Sequence, residues 1–272
     1  MPNRPDIDQA LAEALSRYFD ASGPSNLFEA VRYSLLAPGK RLRSRLAVAC
    51  AEMIELDRDV AIPVAVALEM LHCFTLIRKK SAEPLTILSG DALVPLALDV
   101  FSEIAGKVKD AYFIQALHRL ITCTGPRGII GGQASELTLT TKSTLDDLHK
   151  THAKKTGALF SAALLIPKDL MGISDDSSEG LAIDMFAQEL GQAYQVLDDL
   201  EDFDQKSQKE ETTEIAPNHI LFYLPQKEAR DMTLQRLNNA TLSLSSNWGE
   251  KARPLLQISE EIQKKLESDS HG

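Results

Sequence analysis

Apolar residues recur at three- and four-residue spacing along almost the whole chain, which is the period of an α-helix. The helices predicted from this pattern cover residues 27–53, 61–78, 84–105, 110–123, 126–140, 144–172, 178–206, 226–246 and 249–267. The helix-breaking residues that interrupt it are Pro38-Gly39, Pro63, Pro84, Gly106, Gly125-Pro126, Gly172 and Pro225. No stretch alternates at the two-residue period of a strand, so we expect an all-α protein.

Three stretches are apolar around most of the helix circumference: residues 62–77, 87–100 and 159–166. Such helices belong in the interior of a large bundle, shielded by more amphipathic ones. The chain has no internal repeat and no Ser/Gly-rich linker, and residues 206–214 are polar enough to predict a loop. We therefore expect residues 1–272 to form a single domain of about 9–11 helices.

The chain is acidic, with 29 Lys and Arg against 39 Asp and Glu in 272 residues. A nucleic-acid partner is not expected, and any bound anion must lie in a local basic pocket. The first residues lack the features of a signal peptide, and the apolar run at 158–166 is too short to span a bilayer, so no transmembrane segment is expected. The three cysteines occur singly, as in reduced cytoplasmic proteins.

Aspartates follow directly on an apolar helical run in the segment GQAYQVLDDLED, residues 191–202. On a helix, Asp198 and Asp202 lie one turn apart with Asp199 beside them, and like charges at this spacing need a cation. Carboxylate oxygens are preferred ligands of Mg²⁺, which also bridges to phosphates. A magnesium site is favoured over the alternative, a solvated acidic helix end.

Two basic segments are candidates for phosphate binding. In PGKRLR, residues 38–43, a helix start would present Lys40 and Arg43 beside free N–H groups, although basic helix starts on surfaces are common. In HAKKTGAL, residues 152–159, Lys155 and Thr156 would offer a cation and a hydroxyl. His149 and His152 nearby are better explained by a solvated helix face than by a zinc pair.

The order of these segments resembles that of the short-chain trans-isoprenyl diphosphate synthases. The further motifs that carry the resemblance are ALEMLH at 67–72, ILSGDAL at 87–93, GGQ at 131–133, KTGAL at 155–159 and YQVLDD at 194–199. The resemblance runs from about residue 27 to residue 202. It implies a helical bundle around a central cavity, a homodimer, Mg²⁺ and isoprenyl diphosphate substrates.

The resemblance also implies a role for each matching residue. Those that match the isopentenyl diphosphate site are Lys40, Arg43 and His72. Those that match the catalytic allylic site, which binds diphosphate or steadies the developing cation, are Lys155, Thr156 and Gln195, with Gln133 as a pocket glutamine. Those that match the second aspartate-rich motif and would hold Mg²⁺ are Asp198, Asp199 and Asp202. Phe74 matches an aromatic residue that caps the cavity for a short prenyl tail, with a plain core position as the alternative.

The chain departs from the family where the first aspartate-rich motif belongs. After Ile77 it continues directly into RKKSAEP, a connection shorter by about twenty residues, or about 30 Å as helix. Lys79 and Lys80 stand where the first two aspartates would fall and would contact the diphosphate instead. The later lysine-containing motif is replaced by APNH at 216–219.

Three functions remain open at this point. The first is a homologue that binds isoprenyl or other diphosphates with chain elongation impaired or lost. The second is a working short-chain prenyltransferase, and the third is a non-catalytic partner or regulatory subunit. Because metal held from two sides stabilises the leaving diphosphate, the missing motif favours the first.

Overall fold

The computed structural model describes residues 4–18, 24–80, 83–208 and 215–268, and these residues contain helices without strands. The helices are α1 (Arg4–Tyr18), α2 (Ser25–Leu35), α3 (Leu42–Met53), α4 (Arg58–Lys80), α5 (Pro84–Ser102), α6 (Asp110–Thr124), α7 (Ile129–Glu136), α8 (Leu145–His152), α9 (Ala158–Leu170), α10 (Ser178–Gln208), α11 (Gln226–Trp248) and α12 (Arg253–Ser268). A π-helical segment covers Ala153–Gly157, and 3-10 turns cover Ile220–Phe222 and Gly249–Ala252. The predicted all-α fold class is confirmed.

Prolines account for part of the difference between predicted and observed helix ends. Pro63 was expected to break the chain but lies inside α4, which begins five residues earlier. Since proline has no N–H, it leaves the carbonyl of Asp59 without its helical donor. The ammonium of Lys107 donates to that carbonyl at 3.2 Å. A loop was predicted for residues 206–214, but α10 extends to Gln208, so residues 206–208 are helical. Residues 209–214 lie outside the described residues.

The chain divides into two compact units. The first comprises residues 1–120 and 162–173, and the second comprises residues 121–161 and 174–272. In the first unit α4 packs against α5, α3 and α1; in the second, α10 packs against α11 and the π-helical segment. The expectation of a single domain stays a prediction.

Two helices of the first unit are long and apolar enough to cross a membrane by length and composition alone. Most of the apolar part of α4 is buried, as in the core helix of a folded unit. Only a third of α5 is buried, and Leu88 on its surface is 56 % exposed. The apolar stripe of α5 therefore faces outward from its own unit.

Candidate diphosphate and metal sites

A buried ion network holds the start of α3 in the first unit. Arg41 precedes the helix with a φ of 48°, in the left-handed region that non-glycine residues seldom adopt. Its guanidinium donates to Asp8 at 2.7 Å and to the carbonyls of Leu35 and Ala37, and lies 3.7 Å from Glu69. These partners compensate the desolvation of Arg41 and fix the turn that leads into α3.

Glu69, on α4, also caps α3. Its Oε1 accepts from the backbone N–H of Ser44 at 3.2 Å and from the Ser44 hydroxyl at 2.8 Å. The carboxylate is only 3 % exposed. Glu69 thus joins α4 to the first turn of α3. The sequence contains a signal for this role, because Glu69 is a carboxylate within an apolar helix, three residues before His72.

Arg43 and His72, both predicted for the isopentenyl diphosphate site, come together on this frame. An Nη of Arg43 lies 3.1 Å from Nε2 of His72. Arginine can only donate, so Nε2 must accept and the ring proton of the neutral histidine resides on Nδ1. The pairing therefore aligns a cation and a neutral hydrogen-bonding ring at the start of α3.

Other predicted residues of this unit lie elsewhere. Lys40 was expected on the same helical face as Arg43, but α3 begins only at Leu42, so Lys40 lies in the preceding turn and is exposed. Phe74 is buried in α4, which suits a cavity cap and a core position equally. Lys79 and Lys80 end α4; their side chains lie outside the described residues.

In the second unit, the π-helical segment places Lys155 and Thr156. A Cβ on Gly132 of α7 would lie 2.3 Å from the backbone nitrogen of Lys155, so only glycine permits this approach. On the other side, a Cβ on Gly191 of α10 would lie 3.0 Å from the Cα of Gly157. A π-helical turn contains one residue more than an α-helical turn, and such irregularities are common at functional sites. The two glycines leave room for this wider turn. Gln133 lies beside Gly132 and is half-buried.

Lys155 forms an ion pair with Glu136. Both side chains are mostly buried, and Asn218 donates to the same carboxylate oxygen at 3.2 Å. Sequence reasoning missed Glu136, although its spacing of three from Gln133 puts both residues on one face of α7. The predicted phosphate-binding lysine is therefore already neutralised.

The three aspartates of α10 do not share one environment. Asp198 and Asp202 are exposed one turn apart, whereas Asp199 is 7 % exposed. Asp199 accepts from Gln195 Nε2 at 2.8 Å and from the backbone N–H of Ile220 at 2.8 Å. Burial raises the pKa of the Asp199 carboxyl, an effect opposed by the Ile220 hydrogen bond, by His219 and by Gln195.

The aspartates of α10 meet the ligand requirements of Mg²⁺ only in part. Within the described residues, no three His, Cys, Asp or Glu side chains are grouped to hold a metal ion. Asp198 and Asp202 still present two carboxylates to solvent, and Mg²⁺ commonly binds through one or two carboxylates while keeping several waters. The metal-binding role of Asp199 stays a prediction, and each oxygen of this buried carboxylate already accepts one hydrogen bond.

His152 was expected on a solvated helix face, and this is wrong. It is 2 % exposed, and its Nε2 lies 3.3 Å from the carbonyl oxygen of Asn218. Burial lowers its pKa from 6.5 to about 4, with Lys155 and His149 acting in the same direction and the Asn218 carbonyl and Glu136 opposing. His152 is therefore a neutral packing residue beneath the π-helical segment.

Comparison with known families identifies the architecture. The family model described as polyprenyl synthetase matches residues 24–79 and 78–216. The chain belongs to the polyprenyl synthetase family. The resemblance to trans-isoprenyl diphosphate synthases is thereby confirmed, and the two matched segments meet at residues 78–79.

Individual relatives agree with this family. The chain is 31% identical over 223 residues to a farnesyl diphosphate synthase of Geobacillus stearothermophilus, covering 74% of each protein. It is 28% identical to geranylgeranyl pyrophosphate synthase 7 of Arabidopsis thaliana, over 94% of this chain and 81% of that protein. The crystal structure of an FPP/GFPP synthase from Zymomonas mobilis has a TM-score of 0.83 and 26% identity, covering 95% of this chain and 96% of that one.

Proposed function

We propose that this member of the polyprenyl synthetase family binds isoprenyl diphosphates and that its chain elongation is impaired or lost. One observation carries the proposal: α4 ends at Lys80, α5 begins at Pro84, and the family match is divided at residues 78–79. Three residues separate two helices where the family resemblance requires a longer connection with metal-binding aspartates. The shortened connection supports loss of the first aspartate-rich motif.

The chemistry explains why that loss matters. Elongation ionises an allylic diphosphate, leaving a carbocation and a leaving group with several negative charges. When bound at Asp198 and Asp202, Mg²⁺ would supply electrostatic stabilisation of that leaving group. The chain's own contribution is binding: Arg43 and His72 for the diphosphate of isopentenyl diphosphate, and Lys155 for the allylic diphosphate. With fewer metal-binding carboxylates, binding survives better than ionisation does.

In this proposal Lys79 and Lys80 replace metal as counter-charges. Lysine is a mobile point charge that neutralises phosphate but does not clamp it in one geometry. Diphosphate binding should therefore depend less on Mg²⁺ than it does when both walls of a site are acidic, where metal must first make the pocket attractive to an anion.

The test is calorimetric titration of isopentenyl and geranyl diphosphate, with Mg²⁺ and with a chelator. Wild type is compared with Lys79→Ala/Lys80→Ala and with Lys227→Ala/Lys264→Ala, two exposed lysines of α11 and α12 whose replacement removes the same charge. We expect binding to persist in chelator and to weaken about tenfold in the first variant only, as for loss of charge-assisted contacts. Binding that disappears in chelator, or that both variants leave unchanged, contradicts the lysine-for-metal exchange.

A product assay with labelled isopentenyl diphosphate and Mg²⁺ decides the second candidate, a working prenyltransferase. This candidate is favoured by the relatives, which are named as farnesyl and geranylgeranyl diphosphate synthases. Efficient Mg²⁺-dependent elongation would replace the impaired function with the active one. Absence of both elongation and diphosphate binding would favour the third possibility, a non-catalytic partner subunit.

A homodimer in the cytoplasm completes the proposal. The proposal is supported by exposed apolar side chains on α5 and on α6, such as Leu88 at 56 % and Ile114 at 63 % exposed. Two-fold symmetric dimers are the commonest oligomers of soluble proteins. Light scattering at micromolar concentration should give the dimer mass, and a monomer mass would reject it.

A further inference from the structure

Three buried polar side chains of the second unit form one continuous chain of hydrogen bonds. Gln195 Nε2 lies 2.8 Å from Asp199 Oδ1, and the Thr156 hydroxyl lies 2.5 Å from Gln195 Oε1. Each of the three residues is less than a tenth exposed. The other oxygen of Asp199 accepts the backbone N–H of Ile220, and the Asp199 carbonyl meets the ring of His219 at 2.8 Å. Asp199 is thus fixed at both ends.

The chemistry of the three groups sets the direction of donation. Oδ1 of Asp199 accepts from the NH₂ group of Gln195, and its Oδ2 accepts from the backbone N–H of Ile220. The amide oxygen of Gln195 then faces Thr156. Two acceptors cannot bond to each other, so the Thr156 hydroxyl must donate its proton to Gln195.

We propose that Asp199 is a positioning residue that sets this direction, so that Thr156 offers a ligand its lone pairs and not its proton. The consequence rests on the proposed function of the site. Lone pairs favour a developing carbocation, whereas a hydroxyl proton would favour a phosphate oxygen. Thr156 is then unsuited to the phosphate-donor role that its place beside Lys155 suggests. Asp199 acts through Gln195, and Asp198 and Asp202 are the exposed carboxylates of α10 that remain to hold Mg²⁺.

The link between Asp199 and Gln195 is tested by exchanging the two chemistries. Gln195→Glu alone sets two carboxylates against each other. Asp199→Asn alone lets the Gln195 amide turn over, so that Gln195 accepts from position 199 and donates to Thr156, which reverses the direction of the chain. In Asp199→Asn/Gln195→Glu, the amide group introduced at position 199 donates to the new carboxylate at position 195, which still accepts from Thr156. The amide oxygen at position 199 still accepts from the backbone N–H of Ile220. We expect Gln195→Glu alone to lower the equilibrium constant for folding about tenfold or more, Asp199→Asn alone to lower it less, and the pair to recover to within about threefold of wild type.

The link between Gln195 and Thr156 has its own double-mutant cycle. Thr156→Val removes the donor, and Gln195→Met removes the acceptor at similar volume. If Thr156 donates to Gln195, the effect of Thr156→Val on the folding constant should shrink at least about threefold in the Gln195→Met background. Urea unfolding gives all the constants. Additive effects in either cycle overturn the proposal, because one link of the chain is then absent.

Steady-state kinetics with geranyl and isopentenyl diphosphate separate positioning from mere structural support. We expect kcat to fall in each single variant at residues 195 and 199, with KM unchanged, and to recover in the paired exchange. A paired variant that regains stability but not kcat contradicts positioning by Asp199. If wild type shows no turnover while both cycles show coupling, elongation is absent and the hydrogen-bond direction stands on the stability data.

Discussion

The two candidate sites treat similar charged groups in opposite ways. In the first unit the carboxylates of Asp8 and Glu69 contact Arg41, one step removed from the predicted ligand-binding residue Arg43, which donates to a neutral histidine. In the second unit the carboxylate of Glu136 binds Lys155, the predicted ligand-binding residue itself. A scaffold charge thus stabilises the first site, whereas an internal competitor occupies the second. A diphosphate that binds Lys155 must compete with Glu136 for the ammonium.

The largest expected effect is at the scaffold of the first site. Glu69→Ala should lower the free energy of unfolding by about 4 kcal/mol, because it leaves Arg41 buried without one carboxylate and removes the cap from Ser44. Urea denaturation measures the change. Glu29→Ala, which removes an exposed partner of Arg32, is the control and should leave stability unchanged. A loss of less than about 1 kcal/mol would mean that Asp8 and the backbone carbonyls hold Arg41 without Glu69.

At the second site the largest loss of stability should follow from a change of shape. Gly132→Ala would place a methyl group within 2.7 Å of three backbone atoms at Lys154 and Lys155. Because backbone cannot move aside as a flexible side chain can, we expect a loss of about 3 kcal/mol in urea denaturation. Gly39→Ala is the matched control, since a Cβ there meets nothing within 4 Å. Equal effects of the two substitutions would remove the close approach as an explanation of the π-helical segment.

The sequence predicts the helical architecture and, through the family resemblance, assigns Arg43 and His72 to one site, but it does not predict how the charges are shared. Periodicity places most helices because burial of apolar side chains dominates helix position. The same periodicity indicates that Asp199 faces inward, because it lies three residues after buried Val196 and thus on the apolar face of α10. The π-helical segment could not be predicted. It depends on Gly132 and Gly191, which approach it from helices far away in the sequence.

Lys40 shows the limit of a helical pattern at a helix end. The spacing of three between Lys40 and Arg43 predicts one face only if both residues are helical. The left-handed Arg41 starts the helix later, and the partners that allow this conformation, Asp8 and Glu69, lie in other helices. Tertiary contacts decide the boundary, so local propensity could not.

Below neutral pH the second site should lose stability through His152. A folded-state pKa of about 4 against 6.5 means that the unfolded chain binds the proton first, so stability is full above 6.5 and falls as the pH decreases toward 4. Between about pH 7.5 and pH 5 the loss should be about 2 kcal/mol. Urea denaturation of wild type and His152→Gln at both pH values measures it. His149, whose pKa is also lowered, contributes equally to both proteins, so parallel pH profiles would exclude His152 as the source.

The smallest expected effect tests the internal competitor directly. Glu136→Gln keeps the size of the side chain and the acceptor for Asn218 but removes the negative charge that holds Lys155. Geranyl diphosphate should then bind about three- to tenfold more tightly in calorimetric titration, since the ammonium no longer has to leave a carboxylate. The gain should shrink with added salt, although less than for exposed charges, because both side chains are mostly buried. Lys155→Ala in the same background should cancel it, and isopentenyl diphosphate, assigned to Arg43 and His72, should bind as in wild type. Weaker binding of geranyl diphosphate to Glu136→Gln would reverse the interpretation: Glu136 would then hold Lys155 in its binding position, and both sites would follow the scaffold arrangement of the first unit.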